Sequence, residues 1–200
     1  VYDSTLKSKL SVSFIEGVYP TANKAGLIKT DAEIHGIILK GVDKDYNWSY
    51  IISNLTSGEI PQYIENKRSN DVVISKIIAD KLLLNVGDDV RIWFVGDDMK
   101  TRGRKFTVKG IYETGLTECD ERFIYCDLNQ IRRLNGWEND YVGHLEIELK
   151  DNINAEDANN YIYYNIPTYL TSYTAREMYP HIFDWLDLQD MNVVIIIALM

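Results

Sequence analysis

The residues that could carry chemistry are few and scattered. His35, His144 and His181 stand alone, and none shares a His-x-x-x-His spacing that would place two imidazoles on one helix face for a metal. Cys119 and Cys126 are seven apart with no histidine beside them, a poor metal clip. They could pair across a hairpin, which spacing alone cannot decide. The acidic pairs Asp88-Asp89 and Asp97-Asp98 could suggest metal or acid/base work. Adjacent side chains point apart, however, and such pairs commonly mark turns. No Gly-rich phosphate loop, dinucleotide fingerprint or Gly-x-Ser-x-Gly elbow is present, so neither ATP nor a dinucleotide is expected here. The expected chemistry is no catalysis, no metal and no cofactor.

One segment stands out by charge. Residues 96–109 hold Lys100, Arg102, Arg104, Lys105 and Lys109 against only Asp97 and Asp98, inside a chain of net charge −9. That is either a solvated hairpin tip or a contact for a partner. The overall acidity argues against sequence-independent nucleic-acid binding and against peripheral attachment to anionic lipid. With 200 residues, 46% of them apolar, the chain is long enough for one domain or two small ones.

The elements that must position this segment read as follows. Val72-Val73-Ile74 is an apolar β-branched run, and Ser75 can cap a helix whose apolar positions include Ile77, Ile78, Leu82 and Leu84. Asn85 to Asp89 should end that helix through Gly87, and Val90, Ile92 and Phe94 then alternate as a half-buried strand. Phe106, Val108, Gly110 and Ile111 suggest the returning strand. Before this stretch, residues 1–14 read as a frayed leader, and 15–22, 26–30 and 33–42 as three strands. A short helix is expected around residues 50–55. After it, Asp127 caps a helix over 128–134, residues 141–150 form a one-sided strand, and Asn154 caps a helix over 155–162. Residues 169–173 read as a last strand. Thr174 and Glu177 form a capping box, opening a helix that Pro180 should disturb. Met191 to Met200 is a nearly unbroken apolar run, about half of the ~20 residues a membrane helix needs. It reads as the start of a membrane span, or alternatively as a buried strand.

The order Val-hydrophobic-Ser, a Leu-ending helix, Val86-Gly87-Asp88-Asp89-Val90 and Phe106-Thr107-Val108-Lys109-Gly110-Ile111-Tyr112 resembles the extracytoplasmic domain of the MacB/LolC/LolE/FtsX superfamily of ABC-transporter permeases. Gly36 to Val42, Gly110 to Gly115, Glu118, Asp120 and Asp127 to Ile131 resemble its LolC/LolE lipoprotein-releasing branch. The resemblance spans roughly residues 15–155. It implies an α+β, bipartite domain: an outer porter-like α+β lobe (1–42 with 127–190) around an inserted, strand-rich sabre-like lobe (43–126), with 191–200 opening a transmembrane helix. It implies no enzymatic role, and a place in a bacterial inner membrane with the domain facing the periplasm. The implied partners are a cytoplasmic ATPase subunit, a second permease subunit, and a periplasmic lipoprotein carrier or adaptor. On this basis Asp97, Asp98, Lys100, Arg102, Arg104 and Lys105 are the expected partner contact. The loop is short beside the long arm of LolC-like permeases and lacks its prolines and apolar residues, which suggests a LolE-like arrangement or a differently built contact. MacB-type export and FtsX-like control of a cell-wall hydrolase are the alternatives.

Overall fold

The computed structural model describes residues 2, 4–29, 34–65, 67–95 and 101–199. In chain order it contains α1 (Ser4–Lys9), β1 (Ile15–Lys29), β2 (Ile34–Val42), α2 (Ser49–Ser53), β3 (Leu55–Gly58), β4 (Asp71–Ser75), α3 (Lys76–Leu82), β5 (Asp89–Val95), β6 (Thr101–Tyr112), α4 (Thr117–Asp120), β7 (Phe123–Asp127), α5 (Leu128–Asn135), β8 (His144–Leu149), α6 (Ala155–Asn165), α7 (Ala175–Met178) and α8 (Pro180–Leu199). The architecture is mixed α and β, with every strand in one eight-stranded sheet.

Six strands of that sheet close on themselves. β1 pairs with β2, β2 with β7, β7 with β4, β4 with β6, β6 with β5, and β5 returns to β1. The β2–β7 and β4–β6 pairs are parallel, the others antiparallel. β8 extends the sheet beyond β1, and β3 flanks β6. Closure removes the edges of the six strands and leaves an interior for every second side chain. Ile28, Leu39, Ile74, Ile92, Phe106, Val108 and Ile124 fill it, together with Ile78 and Leu82 of α3 and Leu128 and Ile131 of α5.

The chain divides into two compact units. The first comprises residues 1–3 and 17–147 and holds the ring. The second comprises residues 4–16 and 148–200, where Leu6, Leu10, Ala158 and Ile162 are buried. β1 and β8 both pass from one unit to the other.

Several sequence expectations change. The expected frayed leader contains α1, whose Leu6 lies buried. The two strands expected over 15–22 and 26–30 are one strand. Gly26 marks a close approach rather than a turn: a Cβ there would come within 2.8 Å of Ile92 Cγ2. Pro20, which has no N–H to give, falls just before the β2 ladder begins at Thr21. No strand forms over 169–173; Leu170 N–H donates to the Pro167 carbonyl in a turn instead. α3 stops earlier than Gly87, at Leu83, which takes the left-handed conformation (φ 55). Pro180 splits the C-terminal helix into α7 and α8 at Tyr179, since a proline inside a helix removes a hydrogen bond and clashes with the preceding turn.

Candidate functional site

The basic hairpin is built by β5 and β6, whose register pairs Arg91 with Lys105, Ile92 with Arg104, Trp93 with Gly103 and Phe94 with Arg102. Asp97, Asp98 and Lys100 lie outside the described residues. Directly opposed residues of an antiparallel pair share a face. Arg102 and Arg104 therefore share the face of buried Phe94 and Ile92, whereas Lys105 shares that of Arg91, Trp93 and Asp89. The expected contact is thus divided between two faces rather than gathered on one.

On the outer face, Lys105 Nζ lies 2.7 Å from Asp89 Oδ2, and Thr107 Oγ1 donates to Asp89 Oδ1 at 3.0 Å. The hydrogen bond from Lys105, joined by that of Thr107, holds the Asp89 carboxyl below its ordinary range. Arg91 sits over the Trp93 ring at 5.8 Å. Gly103 lets that ring lie flat on the hairpin, because a Cβ would come within 3.0 Å of Trp93 Cζ3. On the other face, Arg104 Nη1 donates to the Gly103 carbonyl at 3.2 Å. Among the described residues, Arg104 Nε is a buried donor without an acceptor.

A second cluster, within the first unit, escaped sequence reasoning. Lys40 on β2 reaches Glu146 on β8, 2.7 Å from Nζ to Oε1, and is 14% exposed. Its ammonium stands 5.4 Å from the ring centres of both Tyr46 and Tyr125. Tyr46, Trp48 and Tyr125 pack edge-on or tilted on one another, and Tyr112 packs edge-on against Tyr125. Such geometry suits aromatic quadrupoles and a desolvated cation. Burial alone would raise the Glu146 carboxyl, but the nearby His144 imidazole and the charge and hydrogen bond of Lys40 outweigh it and hold it below the ordinary range. Burial pushes the Tyr125 and Tyr112 hydroxyls well above theirs. The one sequence signal was the interleaving of Tyr46, Trp48 and Tyr50, and of these Tyr50 is exposed. The chain's own lysine fills this aromatic box.

The remaining candidates carry no assembled chemistry. His35 shares a 2.8 Å hydrogen bond with the Glu121 carbonyl, His144 lies 3.7 Å from Glu146, and His181 is exposed on α8. Cys119 and Cys126 are both free thiols, Cys126 fully buried. Among the described residues no group of three or more His, Cys, Asp or Glu converges on a point.

The sequence matches the family model of the MacB-like periplasmic core domain over residues 2–162. The chain belongs to that family. Solved structures agree on the fold of this MacB-like domain. It is similar to the extracellular domain of the noncanonic ABC-type transporter YknZ from Gram-positive bacteria, at 16% identity and a TM-score of 0.52, covering 80% of this chain and 78% of that one. It is also similar to the periplasmic region of MacB from Actinobacillus actinomycetemcomitans, at 14% identity and a TM-score of 0.51, covering 80% and 70%. A comparison with curated proteins returns no match.

Proposed function

We propose that the chain is the extracytoplasmic domain of a bacterial MacB-like ABC-transporter permease, and that its work is mechanical rather than chemical. The family match over residues 2–162 carries this reading. A cytoplasmic ATPase subunit moves the membrane helices of the permease and of a second permease subunit. α8 passes that motion to the domain, since a continuous helix is stiff enough to transmit it. Residues 191–200 open a membrane span in this reading. Among the described residues no helix is long and apolar enough to cross a membrane by itself. Residues 43–126 form the inserted lobe between 1–42 and 127–190.

The cargo step we assign is release of lipoproteins to a periplasmic carrier, on the likeness of Gly36–Val42 and Gly110–Ile131 to the LolC/LolE branch. The contact is the basic hairpin: Arg102, Arg104 and Lys105, with Asp97, Asp98 and Lys100 preceding them in the sequence. The local excess of Arg102, Arg104, Lys105 and Lys109 in a chain of net charge −9 supports an acidic partner there. MacB-type export has its own support in the fold shared with the MacB periplasmic region.

The test is capture of partners from periplasmic extract on the immobilised domain. Recovery of a lipoprotein carrier, lost in Arg102→Glu/Arg104→Glu, is the expected result. Recovery of a membrane-fusion adaptor would move the function to export, and of a peptidoglycan hydrolase to cell-wall control.

A further inference from the structure

The second unit presents an unusual surface. Six of the 14 tyrosines in the chain fall between residues 161 and 179. Tyr163, Tyr164, Tyr169 and Tyr173 are 53%, 82%, 79% and 61% exposed, and on α8 Trp185 and Leu188 are 51% and 54% exposed. These residues sit on pieces tied to one another. Ser172 donates to the Asn159 carbonyl of α6 at 3.4 Å, and Arg176 of α7 bridges to Asp187 of α8 at 2.8 Å. Soluble surfaces show single large aromatics; so many exposed rings in one short stretch mark an interaction surface.

Three observations select its occupant. Tyrosine and tryptophan, apolar in body and polar at the tip, concentrate where a bilayer meets water. α8 runs without interruption from Trp185 into the apolar residues 191–199. Met191 lies six positions beyond Trp185, about 9 Å along a helix, close to the ~5–8 Å thickness of a headgroup layer. Residues 151–200 hold one lysine or arginine, Arg176, against seven carboxylates, which suits zwitterionic rather than anionic lipid.

We infer that the aromatic surface of α6, the 169–173 segment and the first half of α8 rests on a zwitterionic lipid surface, with Trp185 and the exposed tyrosines at headgroup level. This rests on the reading that α8 leads into a membrane. It adds a contact of the folded unit itself with the bilayer.

The experiment uses the 200-residue chain with phosphatidylcholine vesicles carrying a doxyl quencher at a shallow acyl position, with retention on the vesicles after flotation scored in parallel. Retention with tryptophan quenching that disappears in Trp185→Phe is the expected result. In that background Tyr164→Trp and Tyr169→Trp should each restore the quenching. A retained chain whose quenching is unchanged in Trp185→Phe, or is restored by neither tyrosine replacement, overturns the inference while the membrane reading stands. Loss of the chain from the vesicles overturns the inference. Self-association in detergent without lipid quenching would give the surface to a second copy and overturn the inference.

Discussion

Asp120 is 1% exposed and holds the turn after β6 in place. Its carboxylate accepts from Thr114 N at 3.0 Å, Thr114 Oγ1 at 2.7 Å and Gly115 N at 3.2 Å, while its carbonyl accepts from the Ser75 hydroxyl that also caps α3. Asp120→Ala leaves three donors without their acceptor and should cost about 3 kcal/mol, measured as a shift in the urea midpoint. A loss of a few tenths would mean that water replaces the carboxylate. Leu83 points the other way. It takes φ 55 with its side chain 85% exposed, so it bears left-handed strain without burying anything in return. That strain is about 1–2 kcal/mol for a non-glycine residue, against about 0.5–1 kcal/mol of extra unfolded-chain entropy for glycine. Leu83→Gly should therefore raise the melting temperature; a fall would show that the leucine makes a contact worth more than its strain.

At the scale of elements, α5 seats on β2 through Gly41, where a Cβ would lie 2.8 Å from Ile131 Cδ1 and 2.9 Å from the Leu128 Cα. Backbone cannot swing aside as a side chain can, so Gly41→Ala should cost about 2 kcal/mol by calorimetry, with α5 displaced. β8 is held to β2 by the Lys40–Glu146 pair. Because the Glu146 carboxyl titrates below its ordinary range near 4.5, its stabilisation is complete above that range and is lost as pH falls through the lowered value. Glu146→Gln should cost stability at neutral pH and flatten the acid side of the stability profile. An unchanged acid side would show that the pair contributes nothing. Asp127, raised mainly by burial, acts in the opposite sense over the same acid range, so the comparison must be between these two chains alone.

Local elements were largely legible in the sequence. Ser75, Asp127, Asn154 and the Thr174–Glu177 box all cap helices as their chemistry requires, because a cap is decided within four residues. What the sequence concealed is set by distant partners. Period-two alternation cannot say that Lys40 meets Glu146, 106 residues away. Arg102 and Lys105, three apart, fall on opposite faces because β6 begins at Thr101, well before the Phe106 at which the sequence suggests the strand. The break expected in β1 at residues 23–25 disappears because the ladder to β2 runs unbroken from Thr21 to Lys29, which only the partner strand reveals.

For the whole molecule, the two units should differ in resistance to opening. The ring buries a continuous core of large side chains, whereas the second unit buries Leu6, Leu10, Ala158 and Ile162 and exposes much of its aromatic surface. Amides of β4, β6 and β7 should exchange with solvent slowest, and those of α6 and α7 markedly faster. Equal rates in both would mean that the chain opens as one cooperative body.

The closed circuit of strands also sets an order of events in time. β2 cannot take its place against β7 until residues 123–127 exist, and the Lys40–Glu146 tie must wait longer still. Both parallel pairs need loops to close before any ladder rewards them, which makes folding slow relative to a helical chain of equal length. A chain delivered through a membrane N-terminus first would thus arrive with β1 and β2 paired only to each other, their outer edges exposed. Until β7 clears the exit, those two strands depend on each other, or on a helper, to stay out of aggregates.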